Sequence, residues 1–332
     1  MSTTLERAPG GAPETAAAGS GGALRRSADW ARRAPLLPAL VFTIIITQLP
    51  FLLTIAISTL HWNVLQPGQR DFLGLGSYDS FVGLKNYATV FTDNRLRTAT
   101  LNTIVLTTSV VIGSVLIGLG LAILLDRRFP GRGLARTLLI APFLVMPVAS
   151  ALVWKHALYN PDYGLFNGVL NWIWHLFGAG EGPVIDYVSS TPMLAVVAAL
   201  VWQWTPFMML ILLAGLQAQP GDVLEAARID GASGIQTFRH ITLPFLRRYL
   251  DLATLLGTIY VLQTFDAIFT ITQGGPGTAT TNLPYEIYLT TFRKYEYGEA
   301  AAAGVVVVIL TIIVATFALR TISSLFEEEV SR

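Results

Sequence analysis

The 332-residue chain contains no cysteine. A disulfide framework, thiol catalysis and a thiolate metal site are therefore excluded. Charge is scarce as well: 13% of residues are Asp, Glu, Lys or Arg, against about 25% in soluble domains. Lysine occurs only at Lys85, Lys155 and Lys294. No G-x-x-x-x-G-K-[ST] run is present, so the chain carries no phosphate loop of its own. No His cluster or paired carboxylate marks a catalytic or metal centre. What is abundant is apolar side chain, 53% of the sequence. That balance predicts an all-α, polytopic membrane protein, not one or two soluble domains.

Six apolar runs are long enough to cross a hydrocarbon core, which takes about 20 residues. They cover 36–60, 100–125, 134–158, 192–216, 249–271 and 299–322. Pro50, Pro142, Pro147 and Pro206 fall inside these runs; proline is tolerated in spans where neighbouring groups satisfy the freed carbonyls. The first run exceeds the core of a signal peptide and no small-residue cleavage site follows it closely, so it is expected to be retained. Residues 1–33 read as an N-terminal tail, expected to be disordered because it offers few large apolar groups to bury. The six-span domain occupies 34–326, with a polar loop at 217–246, and 327–332 form a short C-terminal tail. Basic residues orient the spans. Fifteen Lys and Arg fall on the side of the two termini and the 217–246 loop, and seven on the other. The richer side is predicted cytoplasmic, so both termini face the cytoplasm.

The polar loop contains QPGDVLEAARIDGASGIQTFRHITLP, residues 219–244. Asp222 and Glu225 stand three apart, the spacing of a capping box with Asp as the cap. Gly231 suits the left-handed residue that ends such a helix. Ser233 and Gln236 repeat the spacing and open a second helix, and Pro244 marks the approach to span five. Two readings follow. The loop is a pair of interfacial helices joining spans four and five, or it is a docking element. In the second reading small Ala226 and Ala227 allow close approach and Glu225, Arg228 and Asp230 offer charged contacts at the rim.

Polar and aromatic residues gather near the middle of two spans: Gln203, Trp204 and Phe207 in span four, and Tyr260, Gln263 and Thr264 in span five, with Gly257 one turn before. Gly257, Tyr260 and Thr264 share one helix face by their i, i+3, i+7 spacing. Polar groups at this depth are costly and mark functional sites by default, although hydrogen bonds between neighbouring helices would also account for them. Aromatic platforms with amide and hydroxyl groups suit a sugar or polyol, which has apolar CH faces and many hydroxyls. Elsewhere, His156 reads as a satisfied histidine of the bundle, and Glu296 and Glu299 as solvated groups before span six. Asp251 and Asp266 lie near opposite ends of span five. An ion-coupled transporter needs ionisable groups at the midplane, and none is found there.

The 219–244 stretch resembles the cytoplasmic loop signature of ABC-importer permeases: EAA, three residues, G, nine residues, then I-x-L-P. Glu225-Ala226-Ala227, Gly231, Ile241, Leu243 and Pro244 fit every position. FVGLKNYATVFTD with LNTI, TQGGPGTATTNLPYEIY and YGEAAAAG resemble segments of maltose-type carbohydrate permeases. APFLVMPVASALVWKHALYNP and VWQWTPFMMLILLAGLQ look closest to sorbitol/mannitol-type polyol permeases. The resemblance implies a type I ABC-importer permease bundle of six spans in the bacterial plasma membrane. It implies that residues 223–240 form a coupling helix against a separate ATPase, contacted by Glu225, Ala226, Ala227, Arg228, Asp230 and Gly231. It also implies a solute pathway at Trp204, Phe207, Gly257, Tyr260, Val261 and Thr264, to which the residue chemistry adds Gln203 and Gln263. Trp204 replaces a small residue of the maltose permease, and Val261 and Thr264 stand where it has asparagines, so the pathway is reshaped. The chain is then no enzyme and binds no cofactor or metal. ATP and Mg belong to the partner ATPase subunits, two by expectation. A second related permease and an external solute-binding protein complete the expected assembly.

Overall fold

The computed structural model describes residues 37–63, 65, 81–178, 180 and 182–330, with side chains to residue 313 and at 316. The expectation for residues 1–33 lies outside them. The fold is helical: α1 Leu37–Ser58, α2 Lys85–Thr92, α3 Asn94–Asp126, α4 Arg132–Leu144, α5 Pro147–Leu158, α6 Leu165–Leu176, α7 Tyr187–Ser190, α8 Pro192–Gln217, α9 Gly221–Ile229, α10 Gly234–Thr237, α11 Leu243–Leu262, α12 Leu283–Phe292 and α13 Tyr297–Val330. Each of the six apolar runs coincides with one of these helices or a broken pair of them. α1, α3 and α8 are long and apolar enough to cross a membrane, and the bent α4–α5 pair makes up to a fourth such span.

The chain divides into two compact units, residues 1–53 and 54–332. In the first, α1 from Leu37 to Leu53 exposes large apolar side chains along its length, interrupted by Thr43, Thr47 and Gln48; the two threonines return their hydroxyls to the carbonyls of Ala39 and Thr43. The second unit is built on α3 packed along α8, with α11 against both. Small residues permit the close approach. Ser114, Gly118 and Ala122 recur every fourth residue on α3 and all are buried, the small-xxx-small pattern of membrane helix pairs. A Cβ on Gly118 would sit 2.9 Å from the backbone nitrogen of Met209. Met208, Met209 and Leu212 of α8 are fully buried in this core.

Two of the six runs are broken helices. The 134–158 run bends by 95° between α4 and α5. Proline disfavours the helical conformation in the residue before it, and Met146, just ahead of Pro147, is extended at φ −56°, ψ 134°. The 249–271 run starts earlier than expected, at Leu243, directly after the π-helical turn Phe238–Thr242, with Pro244 at the junction. It also stops short. α11 ends at Leu262, residues 263–265 are not helical, and helical turns resume through a π-helical stretch at Ile268–Thr272. At the sixth run α13 continues to Val330, past the expected end of the span domain at 326.

The end of the bundle away from α9 is closed by α2, α12 and residues 58–63. Buried Asn86 donates from Nδ2 to the carbonyls of Ser58 and Leu60, both at 2.8 Å. Glu296 is not simply solvated: its carboxylate accepts from Asn63 Nδ2 at 2.8 Å, and both it and Glu299 are half-buried. Glu286 is buried and pairs with Lys294 at 3.0 Å. His156 also departs from expectation. A π-helical turn at Val153–Leu158 widens the end of α5. The changed register brings Lys155 Nζ to the carbonyl of Thr270 at 2.8 Å and leaves His156 exposed.

Candidate functional site

The loop joining α8 to α11 begins with α9. Its N-cap is Pro220, not Asp222, and no side chain caps it. Asp222 lies inside the first turn, where its charge complements the helix dipole. The C-terminus follows the expectation. Gly231 is left-handed at φ +78°, its N–H donates to the Arg228 carbonyl at 3.1 Å, and that of Ala232 donates to the Ala227 carbonyl at 2.9 Å. These two bonds make a Schellman motif. Ser233 and Gln236 form the expected capping box: Ser233 N–H donates to Gln236 Oε1 at 2.8 Å, and Gln236 N–H to Ser233 Oγ at 3.4 Å. The second helix is not separate from span five. α10 passes through a π-helical turn, Phe238–Thr242, directly into α11.

α9 presents two faces. Ala227 is buried against the chain itself, so of the six loop positions only Glu225, Ala226, Arg228, Asp230 and Gly231 are open to another surface. Val223, Ala226 and Ile229 recur every third residue and form an exposed apolar ridge, Ile229 being 86% accessible. Exposed Ile235 follows across the turn. The sequence reading missed Val223, Ile229 and Ile235. An apolar residue on a short polar helix signals them only once the buried face is known.

The second site is aromatic. Trp204 and Phe207 project from the middle of α8, and Tyr260 from the last turn of α11. Trp204 and Tyr260 stack with centroids 5.5 Å apart and planes 19° from parallel. Phe207 meets Trp204 edge-on at 6.0 Å and Tyr260 at 6.2 Å. A fourth ring completes the group: Phe143, at the end of α4, stacks on Phe207 at 5.3 Å and meets Trp204 edge-on at 5.8 Å. Phe143 was not among the sequence-level candidates. Its signal was the flanking Pro142 and Pro147, which break the span beside it. Tyr260 is 53% accessible, whereas Phe143, Trp204 and Phe207 are half-buried.

The remaining candidates are distributed differently. Gln203 and Val261 are buried. Gly257 is buried too, and the space its missing side chain leaves is taken by Met208: a Cβ there would overlap Met208 Cε. Thr264 does not share a helix face with Gly257 and Tyr260, because α11 has already ended. Gln263 is exposed at that break. The carbonyl of Thr264 is satisfied by Nδ2 of Asn282 at 2.5 Å, while Oδ1 of the same fully buried Asn282 accepts from Tyr285 N–H at 3.1 Å. One side chain thus holds the broken span and starts α12. Asn282→Ala leaves both backbone groups unpaired, at about 1–3 kcal/mol each. The detergent-solubilised variant is expected to unfold at a clearly lower temperature than wild type; equal melting temperatures would contradict this role.

Among the described residues, a helical bundle with two broken spans, an aromatic group gathered beside both breaks and an amphiphilic helix exposed on one end is the build of a transmembrane permease component. The chain belongs to the family described as binding-protein-dependent transport system inner membrane component, which matches residues 114–328. It is 36% identical over 284 residues to the trehalose/maltose transport system permease protein MalF of Thermococcus litoralis, covering 85% of this chain and 89% of that protein. It is 34% identical over 257 residues to the sn-glycerol-3-phosphate transport system permease protein UgpA of Agrobacterium fabrum, covering 76% and 83%. The fold also matches a chain of the bacterial alginate ABC transporter solved with an alginate pentasaccharide-bound periplasmic protein. That match has a TM-score of 0.71 at 19% identity over 90% of this chain and 94% of that one. The chain is therefore a membrane component of an ABC importer and not its ATPase.

Proposed function

We propose that this chain, a six-span permease with both termini in the cytoplasm, imports a neutral sugar or polyol by alternating access. In this reading the α9 loop receives the stroke of separate ATPase subunits. One observation carries it: the loop joins the very two helices, α8 and α11, that supply three of the four rings. α8 runs from Phe207 to Gln217 over about 15 Å, with the loop following directly. Moving α9 as ATP closes the ATPases would shift Trp204 and Phe207 against Tyr260. The bundle would then open outward to take solute from a docked binding protein, and reset inward after hydrolysis. A second related permease completes the pathway, and two ATPase subunits drive it.

The carbohydrate assignment rests on the rings and on the charges around them. Ring faces bind the CH faces of a sugar, and the exposed Gln263 amide and Tyr260 hydroxyl supply polar contacts. The relative named for trehalose and maltose is consistent with this, whereas the one named for sn-glycerol-3-phosphate handles an anion. An anionic solute would call for a cation at the rings. α8 contains no Lys or Arg. On α11 the nearest, Arg248, is about 18 Å along the helix from Tyr260 and lies over the rings of Phe245 and Tyr249, at 4.5 and 5.1 Å. On α4 Arg136 is about two turns before Phe143. Uptake in cells carrying the whole transporter tests this with paired neutral and phosphorylated solutes. Neutral sugars or polyols are expected to enter, and Phe143→Ala is expected to weaken their uptake about ten-fold, the loss of about 1.4 kcal/mol. Preferential uptake of the phosphorylated partner would overturn the neutral assignment.

A further inference from the structure

We infer that α6 lies flat in the membrane interface, on the side opposite the α9 loop, with one face immersed among lipid acyl chains. The inference rests on α8 and the bent α4–α5 pair each crossing the bilayer, and not on the solute. α5 ends at Leu158 and α8 starts at Pro192, so α6 connects the same ends of two spans and is held at the depth where they emerge.

Three stripes of this helix have three different surroundings. Phe166, Asn167 and Leu170 turn toward the bundle. Phe166 meets Trp154 edge-on at 5.9 Å and Tyr159 at 5.6 Å. Buried Asn167 ties down the returning chain, donating to the Ile185 carbonyl at 2.9 Å and accepting from Ile185 N–H at 3.2 Å. Gly168, Asn171 and His175 form an exposed polar stripe. The third stripe is Leu165, Val169, Trp172, Ile173 and Leu176, at i, i+4, i+7, i+8 and i+11. These large apolar side chains are between 38% and 68% accessible.

Lipid is the occupant that fits this third stripe. Tryptophan concentrates where hydrocarbon meets headgroups, and the stripe carries Trp172, 65% accessible. The stripe lies beside a polar one, as an interfacial helix requires. There is no Lys or Arg anywhere between Lys155 and Arg228, so attraction to anionic headgroups cannot hold the helix; burial of the apolar face must.

The chain has no cysteine, so an introduced thiol is unique within it, and the chain is labelled before it is assembled with its partner subunits. The whole transporter is reconstituted in phosphatidylcholine vesicles with one spin label at Val169→Cys, Ile173→Cys or Leu176→Cys, or at Gly168→Cys, Asn171→Cys or His175→Cys. Collisions with oxygen and with a water-soluble nickel chelate are measured for each. The ratio of oxygen to chelate accessibility is expected to be at least about three-fold higher at the first three sites, as for side chains sunk about 5–10 Å below the headgroups. Equal ratios on both stripes would overturn the inference. So would exclusion of both reagents from the apolar stripe, which would mean that another protein chain covers it. Should a labelled variant fail to assemble, dibrominated lipid gives a second reading. Bromine is expected to quench wild-type tryptophan emission, with a measurable part of the quenching lost in Trp172→Phe; no loss would count against lipid contact.

Discussion

Glu225→Lys and Gly231→Pro are each expected to abolish solute uptake while the bundle still inserts and purifies. Gly231 is the sharper case. Its φ of +78° is far from the value near −65° that proline imposes, and proline would also delete the N–H that bonds to Arg228. Both Schellman bonds would be lost and α9 would leave its place against the bundle. Gly231→Ala separates conformation from contact. A Cβ at this position meets nothing within 4 Å, so alanine costs only its left-handed strain, about 1–2 kcal/mol, and partial uptake should survive. Glu225→Lys leaves the fold alone because the side chain is exposed, but reverses a charge on the face open to the ATPase. Assembly with the ATPase subunits, read by co-purification, should fall together with uptake. Wild-type uptake and assembly in both the lysine and proline variants would remove the coupling role from this loop.

Trp204→Ala is expected to have the next largest effect. Trp204 contacts all three other rings, so its removal takes away three of the five ring contacts and leaves only Phe207 to join Phe143 to Tyr260. Each aromatic pair contributes about 0.5–1.5 kcal/mol beyond the area it buries. Tyr260→Ala removes the most accessible ring and one stacked face, and should raise the solute concentration needed for half-maximal uptake about ten-fold, equivalent to about 1.4 kcal/mol. Trp204→Ala should exceed it and change the preference between solutes, since Tyr260 loses the ring it stacks on and Phe143 and Phe207 each lose an edge contact. A packing role predicts something else: less folded protein, with unchanged preference and unchanged half-saturation in what remains. Transport per folded molecule, measured across the solute panel, separates the two.

How much of this was legible in the sequence varies along the chain. Hydrophobic length placed six apolar runs, and each falls in helical structure; of these, three helices and the bent α4–α5 pair are long and apolar enough to cross a membrane. The end of α9 was legible because glycine and its capping partners act within a few residues. Ala227 was not, since whether an alanine on a short helix faces the bundle depends on packing from elsewhere. The breaks divide likewise. Pro147 announces the bend between α4 and α5, whereas the halt of α11 at Leu262 is secured by Asn282, eighteen residues away from Thr264, and has no local signal. Gly257 shows the limit of reasoning from small residues: an open position in the sequence is filled by Met208 in the fold. Phe143 was overlooked because a phenylalanine in an apolar span is ordinary until two other rings are found against it.

The central claim, that the chain conducts a neutral solute through the membrane on power delivered by another subunit, reduces to one measurement. The chain is reconstituted in vesicles with its partner permease, its ATPase subunits and its solute-binding protein. Accumulation of radiolabelled sugars and polyols is then followed with ATP supplied to the ATPase side, or with a proton or sodium gradient in its place. The account predicts accumulation that requires ATP and the binding protein and is lost in Gly231→Pro. Accumulation driven by either ion gradient without ATP, or indifferent to Gly231→Pro, would contradict it.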